Sequence, residues 1–400
     1  MELALYGGSP IRDKGWPQWP QKNPEMKILL DRVLESGDWS GHNTIVKDFE
    51  EKWSGYNGVR HSLCCCNGTV SLELILRALN IGRGDEVIIP CYTFVATASA
   101  VTAVGATPVF ADIDGDSYQI SADSIERNIT SLTKAVIGVH IGGCPFDFNK
   151  VNAVVKKHGL YLIEDAAQAH GAEWQGHRVG SLGIAGSFSF QASKNISGGE
   201  GGMITTNDNT LYARIKKIRD NSSEIISTNG RLGAWQAAIL TTQLPTADEY
   251  IKRRTDNAAY LDKRLNELGF VSPMKMSEKI TKNAYHLYQF KYFSEECRGL
   301  SRSTFLNALN AEGINAGPGY SQMIHTMGVF KSPYFYKVTG TKRCYEDASL
   351  DLPEGKKAAY EEGCWMYMNH LMGAESDVED IAKAMEKVYD NAEILIKEGK

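Results

Sequence analysis

The sequence has no paired cysteine spacing, no strong excess of one charge and no basic leader, and each absence removes a class of protein. Its eight cysteines do not form a disulfide framework in a chain of 400 residues. Cys64, Cys65 and Cys66 are consecutive, and Cys91, Cys144, Cys297, Cys344 and Cys364 stand apart. Reduced thiols and a cytoplasmic location are therefore expected. Consecutive side chains diverge from the backbone, and no ligand spacing recurs elsewhere, so no metal is expected. A formal net charge of −5 argues against a nucleic-acid or anionic-membrane partner. The opening MELALYGGSPIRDKGW lacks a basic segment followed by an apolar stretch, so no secretory signal is read. Residues 87–111 carry no charge, but Pro90, Pro108, Thr93, Thr97, Ser99, Thr102 and Thr107 suit a buried strand–helix–strand better than a membrane span. No internal repeat or low-complexity tract is visible.

What is present centres on residues 160–202. LYLIED is a short apolar run ending in two carboxylates, as in a strand covered on both faces whose polar end emerges beside a ligand. Asp165 then sits at the strand's carboxyl end. Downstream, Ser189 opens a segment in which Lys194 is the cation before the glycines that surround Glu200, from Gly198 to Gly202. A lysine among small and apolar residues has a depressed pKa, and its amine can form a Schiff base with an aldehyde. A buried carboxylate can keep a pyridine nitrogen protonated, and the two together fit pyridoxal phosphate. Read singly, Asp165 could cap a helix and Lys194 could be a solvated surface residue.

EDAAQAHGA followed by FSFQASKNISGGEGG resembles the DegT/DnrJ/EryC1/StrS family of sugar and aminocyclitol aminotransferases. The likeness continues through SGDWSG, NGTVSLELIL, PCYTFVATASAV and GATPVFADID, over about residues 5–330. It implies an α/β protein of the pyridoxal-phosphate transferase fold type I, like aspartate aminotransferase. Lys194 would be the lysine bonded to the cofactor, Asp165 the partner of its ring nitrogen and Ser189 a phosphate ligand. The turn Asn67-Gly68-Thr69 opens a helical pattern at Leu72, Leu74, Ile75 and Leu79, and such a turn can bind an anion or simply cap the helix. The resemblance makes Gly68 and Thr69 phosphate ligands and Phe94 the aromatic that stacks on the ring. It also lets Gln168 reach the ring hydroxyl, and His170 reads as a structural hydrogen-bonding residue. Asn229, in the Asn229-Gly230-Arg231 turn, would enter the neighbouring subunit's site in a homodimer with shared active sites, with Arg231 near substrate.

Strand-like runs at 86–90, 107–113, 134–141 and 160–165 alternate with helical patterns, which predicts a mostly parallel sheet covered by helices. The expected organisation is an N-terminal arm at 1–25, a large cofactor-binding domain at 26–250 and a smaller C-terminal α+β domain at 251–400. One helix is expected over SDVEDIAKAMEKVYDNAEILIKE, starting at a Ser/Asp cap. The resemblance implies transfer of an amino group from glutamine or glutamate to a ketone, in aminocyclitol, amino-sugar or antibiotic biosynthesis. Glutamine at position 168 resembles the branch that aminates cyclitol ketones and makes aminohydroxybenzoate. The loop from Gly317 to Tyr336 offers Tyr320 and His325 as substrate residues and Lys331 as its fixed cation, which favours an uncharged cyclitol such as scyllo-inosose over a nucleotide-linked keto sugar. A sugar dehydratase of the same fold would have histidine in place of Lys194, and a non-catalytic regulatory protein would not need the whole set. A Rossmann oxidoreductase does not fit, because the glycines at 198–202 follow the lysine instead of opening a βαβ unit.

Overall fold

In the computed structural model, which describes residues 2–346 and 349–399, seven strands form the central sheet. Their order is His61–Cys65, Gly202–Thr206, Ala185–Ser189, Tyr161–Asp165, Thr133–Val139, Glu86–Pro90 and Thr107–Ala111. Gly202–Thr206 runs antiparallel to both its neighbours. The pairings from Ala185–Ser189 out to Thr107–Ala111 are parallel. Parallel strands need crossovers, and these place helices on both faces. Val87 and Ile89 pack with the helices Gly68–Ala78 and Ala96–Ala103, while Ile88 between them packs with Ala122–Asn128 and Phe148–Lys157. Double coverage explains why EVIIP and LYLIED are apolar without alternation. The cysteine run obeys the same geometry, because Cys64 and Cys65 enter different cores and Cys66 is half-buried.

The smaller sheet is antiparallel, in the order Val271–Pro273, Leu287–Tyr292, Gly363–Tyr367, Ala316–Gly317. It is covered by the helices Ala247–Leu268, Arg302–Ala311 and Glu375–Asp390. The expected boundary at 250/251 falls inside the first of these, whose Ala247 packs in a large-domain core and whose Leu261 and Leu265 pack in the small one. A second difference is that the described residues between Met323 and Ala359 return to the large domain. Its Ile324, Phe330, Phe335, Tyr345 and Leu352 join the core of the central sheet, drawn in by apolar side chains that the small sheet does not cover. Among the described residues no helix is long and apolar enough to cross a membrane, and no three His, Cys, Asp or Glu side chains converge as metal ligands.

The N-terminal arm is tied to the small domain. Leu3 enters that core with Tyr6, Ile11 and Trp16 against it, and Arg12 pairs with Asp377 at 2.9 Å and Asp380 at 3.0 Å. The terminal helix differs from its expected form. It begins at Glu375, where the Asp377 carboxylate accepts the Ala374 N–H at 2.9 Å, and it breaks at Asn391 before Ala392–Glu398. The apolar stripe of Ile381, Met385, Val388, Ala392 and Leu395 stays buried across the break.

Beneath the arm, the buried Glu312 carboxylate accepts the N–H groups of Ala4 and Ile11 and pairs with buried Lys387 at 2.8 Å. Lys387→Met leaves that carboxylate without its counterion, and the expected loss is about 3–5 kcal/mol of stability. It is read as a lower thermal unfolding midpoint with faster proteolysis of the arm.

Candidate active site

The parallel strands end at one edge of the central sheet, and a cavity of about 590 Å³ lies between that edge and the small domain. Asp165 enters from the end of Tyr161–Asp165. Its Oδ2 accepts from the Thr97 hydroxyl at 2.8 Å and its Oδ1 from the Ala167 N–H at 3.2 Å. Burial raises the carboxyl's pKa, and these two donors with Lys194 oppose that shift. Lys194 stands across the cavity. Burial lowers its amine to about 8 against the pull of Asp165. Among the described residues none hydrogen-bonds the amine, although Trp19 Nε1 of the arm donates to the Lys194 carbonyl at 2.8 Å.

At one end of the cavity lies the N-terminus of the helix Gly68–Ala78, whose first amides have no carbonyl within the helix to bond. Asn67 Oδ1 takes the Val70 N–H at 2.8 Å. The helix start sits so close to the strand Ala185–Ser189 that a Cβ on Gly68 would lie 2.9 Å from Ser189 Cβ. Gly202 has a matching reason, since a Cβ there would meet the Asn67 carbonyl at 2.5 Å. The glycines after Lys194 thus admit the antiparallel strand beside the anion-binding turn. Phe94 lines the same space and is 57% exposed, an apolar ring with an open face.

Gln168 uses both ends of its amide, accepting from the Gly142 N–H at 2.7 Å and donating to the Tyr320 hydroxyl at 3.2 Å. His170 does not line the cavity. Its Nε2 donates to the Ser189 carbonyl at 2.8 Å, and burial lowers its pKa to about 3, so the ring is neutral and braces the strand.

The structure therefore brings Gly68, Thr69, Phe94, Asp165, Gln168, Ser189, Lys194 and Tyr320 into one cavity. Asn229 and Arg231 lie outside the cavity of their own chain, and Asn229 is exposed, bridged to Asp220. His325 is corrected as a substrate residue: it is buried in the turn Ile324–Thr326 against Phe110, with ring centroids 5.9 Å apart. Of the loop expected to carry the substrate, Tyr320 reaches the cavity, while Met323, Ile324, Phe330 and Phe335 after it turn into the large core. Sequence reasoning missed Thr97, Glu200, His286, Trp365 and Tyr367, all in the lining. Thr97 was accessible to it, since a buried carboxylate needs donors and Thr97 follows Phe94 by one helical turn. The other four carry no local signal.

Residues 20–385 match the DegT/DnrJ/EryC1/StrS aminotransferase family. The chain belongs to that family. It is 34% identical to the L-glutamine:2-deoxy-scyllo-inosose aminotransferase of Streptomyces kanamyceticus over 98% of each chain. Among solved structures it is similar to 3-amino-5-hydroxybenzoic acid synthase, with a TM-score of 0.85, 27% identity and coverage of 94% of this chain and 99% of that one. It is also similar to DesI in the presence of its TDP-sugar product, with a TM-score of 0.86, 29% identity and coverage of 100% and 99%. As a member of this aminotransferase family the protein is an enzyme of the pyridoxal-phosphate transferase fold, with the mixed sheet and helix cover described above.

An amine lowered to about 8 is neutral above that pH, where an ordinary lysine is still charged. In protein freed of any bound small molecule, labelling of Lys194 by an amine-reactive reagent should rise with a midpoint near pH 8. A midpoint above 10, read by peptide mass spectrometry, would show a solvated lysine.

Proposed function

We propose that the cavity binds pyridoxal phosphate and that the enzyme aminates an uncharged cyclitol ketone of the scyllo-inosose type with nitrogen from glutamine. The residues fit the cofactor. The helix start at Gly68 and Thr69, with Ser189 beside it, suits a phosphate. Phe94 offers a face for a flat ring. Asp165 is a buried anion that gains from a cation such as a protonated ring nitrogen. Gln168 retains an amide N–H for a ring hydroxyl. When bound, the cofactor supplies an aldehyde that bonds amines and a ring that withdraws electrons.

Within that arrangement Asp165 holds the proton at the ring nitrogen. Lys194, with an amine near neutrality, takes a proton from the donor's α-carbon and returns one to the carbon where the acceptor's ketone stood. Thr97 and the Ala167 N–H keep the Asp165 carboxylate oriented, and the cavity walls exclude water from both groups.

The observation that carries the acceptor is the charge of the lining. Among the described residues that line the cavity, Lys194 is the cation, and Asp165 and Glu200 are the carboxylates. His286 is kept neutral by burial. A diphosphate is normally met by several Arg or Lys side chains. Thr93, Gln191, Ser193, Glu200 and Tyr320 instead offer hydroxyl, amide and carboxylate groups suited to a polyol. The name of the Streptomyces relative points the same way. A nucleotide-linked keto sugar is the second reading, favoured by the likeness to DesI, and its diphosphate would need cations from a partner, Arg231 first among them.

Glutamine-dependent amination assayed across scyllo-inosose, 2-deoxy-scyllo-inosose and nucleotide keto sugars tests the acceptor, and a preference for the last would reverse this choice. Lys194→Ala should abolish the covalent cofactor adduct, and Asp165→Asn should lower turnover by orders of magnitude with the fold intact.

The shared homodimer site belongs to the same proposal. Asn229 is exposed beyond its own cavity, and the loop before it presents Ile226 at 89% exposure, an apolar surface suited to a partner copy. Mixing Lys194→Ala chains with Asn229→Ala chains should restore part of the activity, because one hybrid site then carries both native residues. No recovery in dimers that demonstrably exchange subunits would remove Asn229 from the shared site.

A further inference from the structure

Lys194 lies between the strands Ala185–Ser189 and Gly202–Thr206, in a segment outside every strand and helix. Side chains from remote parts of the chain hold that segment instead. The Gln243 amide accepts the Ser197 N–H at 3.1 Å and donates to the Ser197 carbonyl at 2.6 Å. Asn195 Nδ2 donates to the Ala284 carbonyl at 2.9 Å, and buried Arg254 donates through Nε to the same oxygen at 2.9 Å. On the lysine itself, the N–H bonds the Gln191 carbonyl at 2.9 Å, and the carbonyl accepts from Trp19 Nε1 at 2.8 Å. Among the described residues no other donor reaches that carbonyl. The arm is fastened on both sides of Trp19. Before it, Trp16 Nε1 donates to the Gly313 carbonyl at 3.1 Å and Arg12 pairs with Asp377, both in the small domain. After it, Asn23 Nδ2 donates to the Thr242 carbonyl at 3.1 Å in the large domain. The Trp19 indole also rests edge-on against Tyr250, with ring centroids 5.7 Å apart. Residues 16–23 thus form a strap between the domains, and the strap meets the cavity wall at the lysine.

We propose that Trp19 is a positioning residue for Lys194: by holding the carbonyl it fixes the main chain from which the amine extends, and with it the depth at which the amine stands in the cavity. The inference rests on the reading of Lys194 as the reactive lysine. Among the described residues the amine has no hydrogen-bond partner of its own, so its place is set by where its main chain starts and by the walls around it. Reacting groups must be held by the residues that support them, and a misplacement of about 1 Å can cost roughly 10²-fold in rate. The indole suits the task because its N–H is a donor only, with no charge to perturb the amine or the Asp165 carboxylate. Through the strap, the seating of the small domain is felt at the lysine.

The test follows Lys194 by peptide mass in the whole chain, freed of any bound small molecule and treated with an amine-reactive label. Trp19→Phe keeps a ring against Tyr250 and removes the N–H. With the tether gone the amine gains access to water, so the labelling midpoint should rise from near pH 8 by about one pH unit, the equivalent of one hydrogen bond. In the loaded enzyme kcat should fall about tenfold with little change in the KM for glutamine, because no binding group is touched. Trp16→Phe is the control, since it deletes the same kind of indole bond, to Gly313, and should leave both the midpoint and kcat at their native values. If Trp19→Phe does not fold, incorporation of benzothienylalanine in place of Trp19 keeps the bicyclic shape and still lacks the N–H. An unmoved or lowered midpoint in either folded Trp19 variant overturns the proposal. So does an equal rise in Trp16→Phe, which would give the arm a general packing role. Because labelling needs no cofactor, a covalent cofactor adduct that persists in Lys194→Ala would sink the lysine's assigned role without altering the Trp19 labelling result.

Discussion

The structure depends on taking one ammonium and one carboxylate out of water without joining them in a closed ion pair. Desolvation pushes the two groups in opposite senses, lowering Lys194 to about 8, where its amine can exchange a proton, and raising Asp165. Two neutral donors, Thr97 Oγ1 and the Ala167 N–H, steady the carboxylate. A direct bidentate pair would satisfy both charges and leave nothing for a ligand to do. The cavity keeps them apart, at the edge where parallel strands end and a helix begins, as open α/β sheets generally do with ligands.

Holding Lys194 falls to parts of the chain that are remote in sequence. Trp19 of the arm bonds its carbonyl, and Asn195 ties the next residue to Ala284 and His286 at the entry to the small domain. Arg254, on the helix shared by both cores, bonds the same Ala284 carbonyl. The arm's other end is anchored to the last long helix through Arg12. The position of the lysine is thus coupled to how the small domain sits on the large one, and the buried polar groups that achieve this are nearly all paired. The exceptions are informative: His170 carries an unsatisfied Nδ1 inside an aromatic cage of Trp53, Phe188 and Phe190, where it braces the strand ending at Ser189.

Much of the site was legible because its residues lie on elements with strong local signatures. LYLIED had to be a strand buried on both faces, so Asp165 had to stand at its end; NGT had to open a helix, so Gly68 and Thr69 had to offer amides there. Resemblance then joined these pieces to Ser189, Gln168 and Lys194, and the cavity holds all of them. His325 lies away from the cavity for a physical reason: its turn follows Met323 and begins at Ile324, and the burial of both against the central sheet outweighs the exposure expected of a Gly- and Pro-rich loop.

By itself the sequence determined the parallel part of the sheet, because short runs that are apolar without alternation need cover on both faces, and it determined the two ionisable groups, because a lone lysine and a strand-end aspartate stand out from their neighbours. Tertiary structure alone decided which distant side chains close the cavity. Glu200, His286 and the strand residues Trp365 and Tyr367 reach it from three segments whose local patterns describe only loops and strands, and their meeting is set by how the small sheet packs on the shared helix. The polar contacts of His286 are likewise invisible along the chain, since its partner Asn195, and the Ala284 carbonyl that Asn195 shares with Arg254, come together only once both domains are in place.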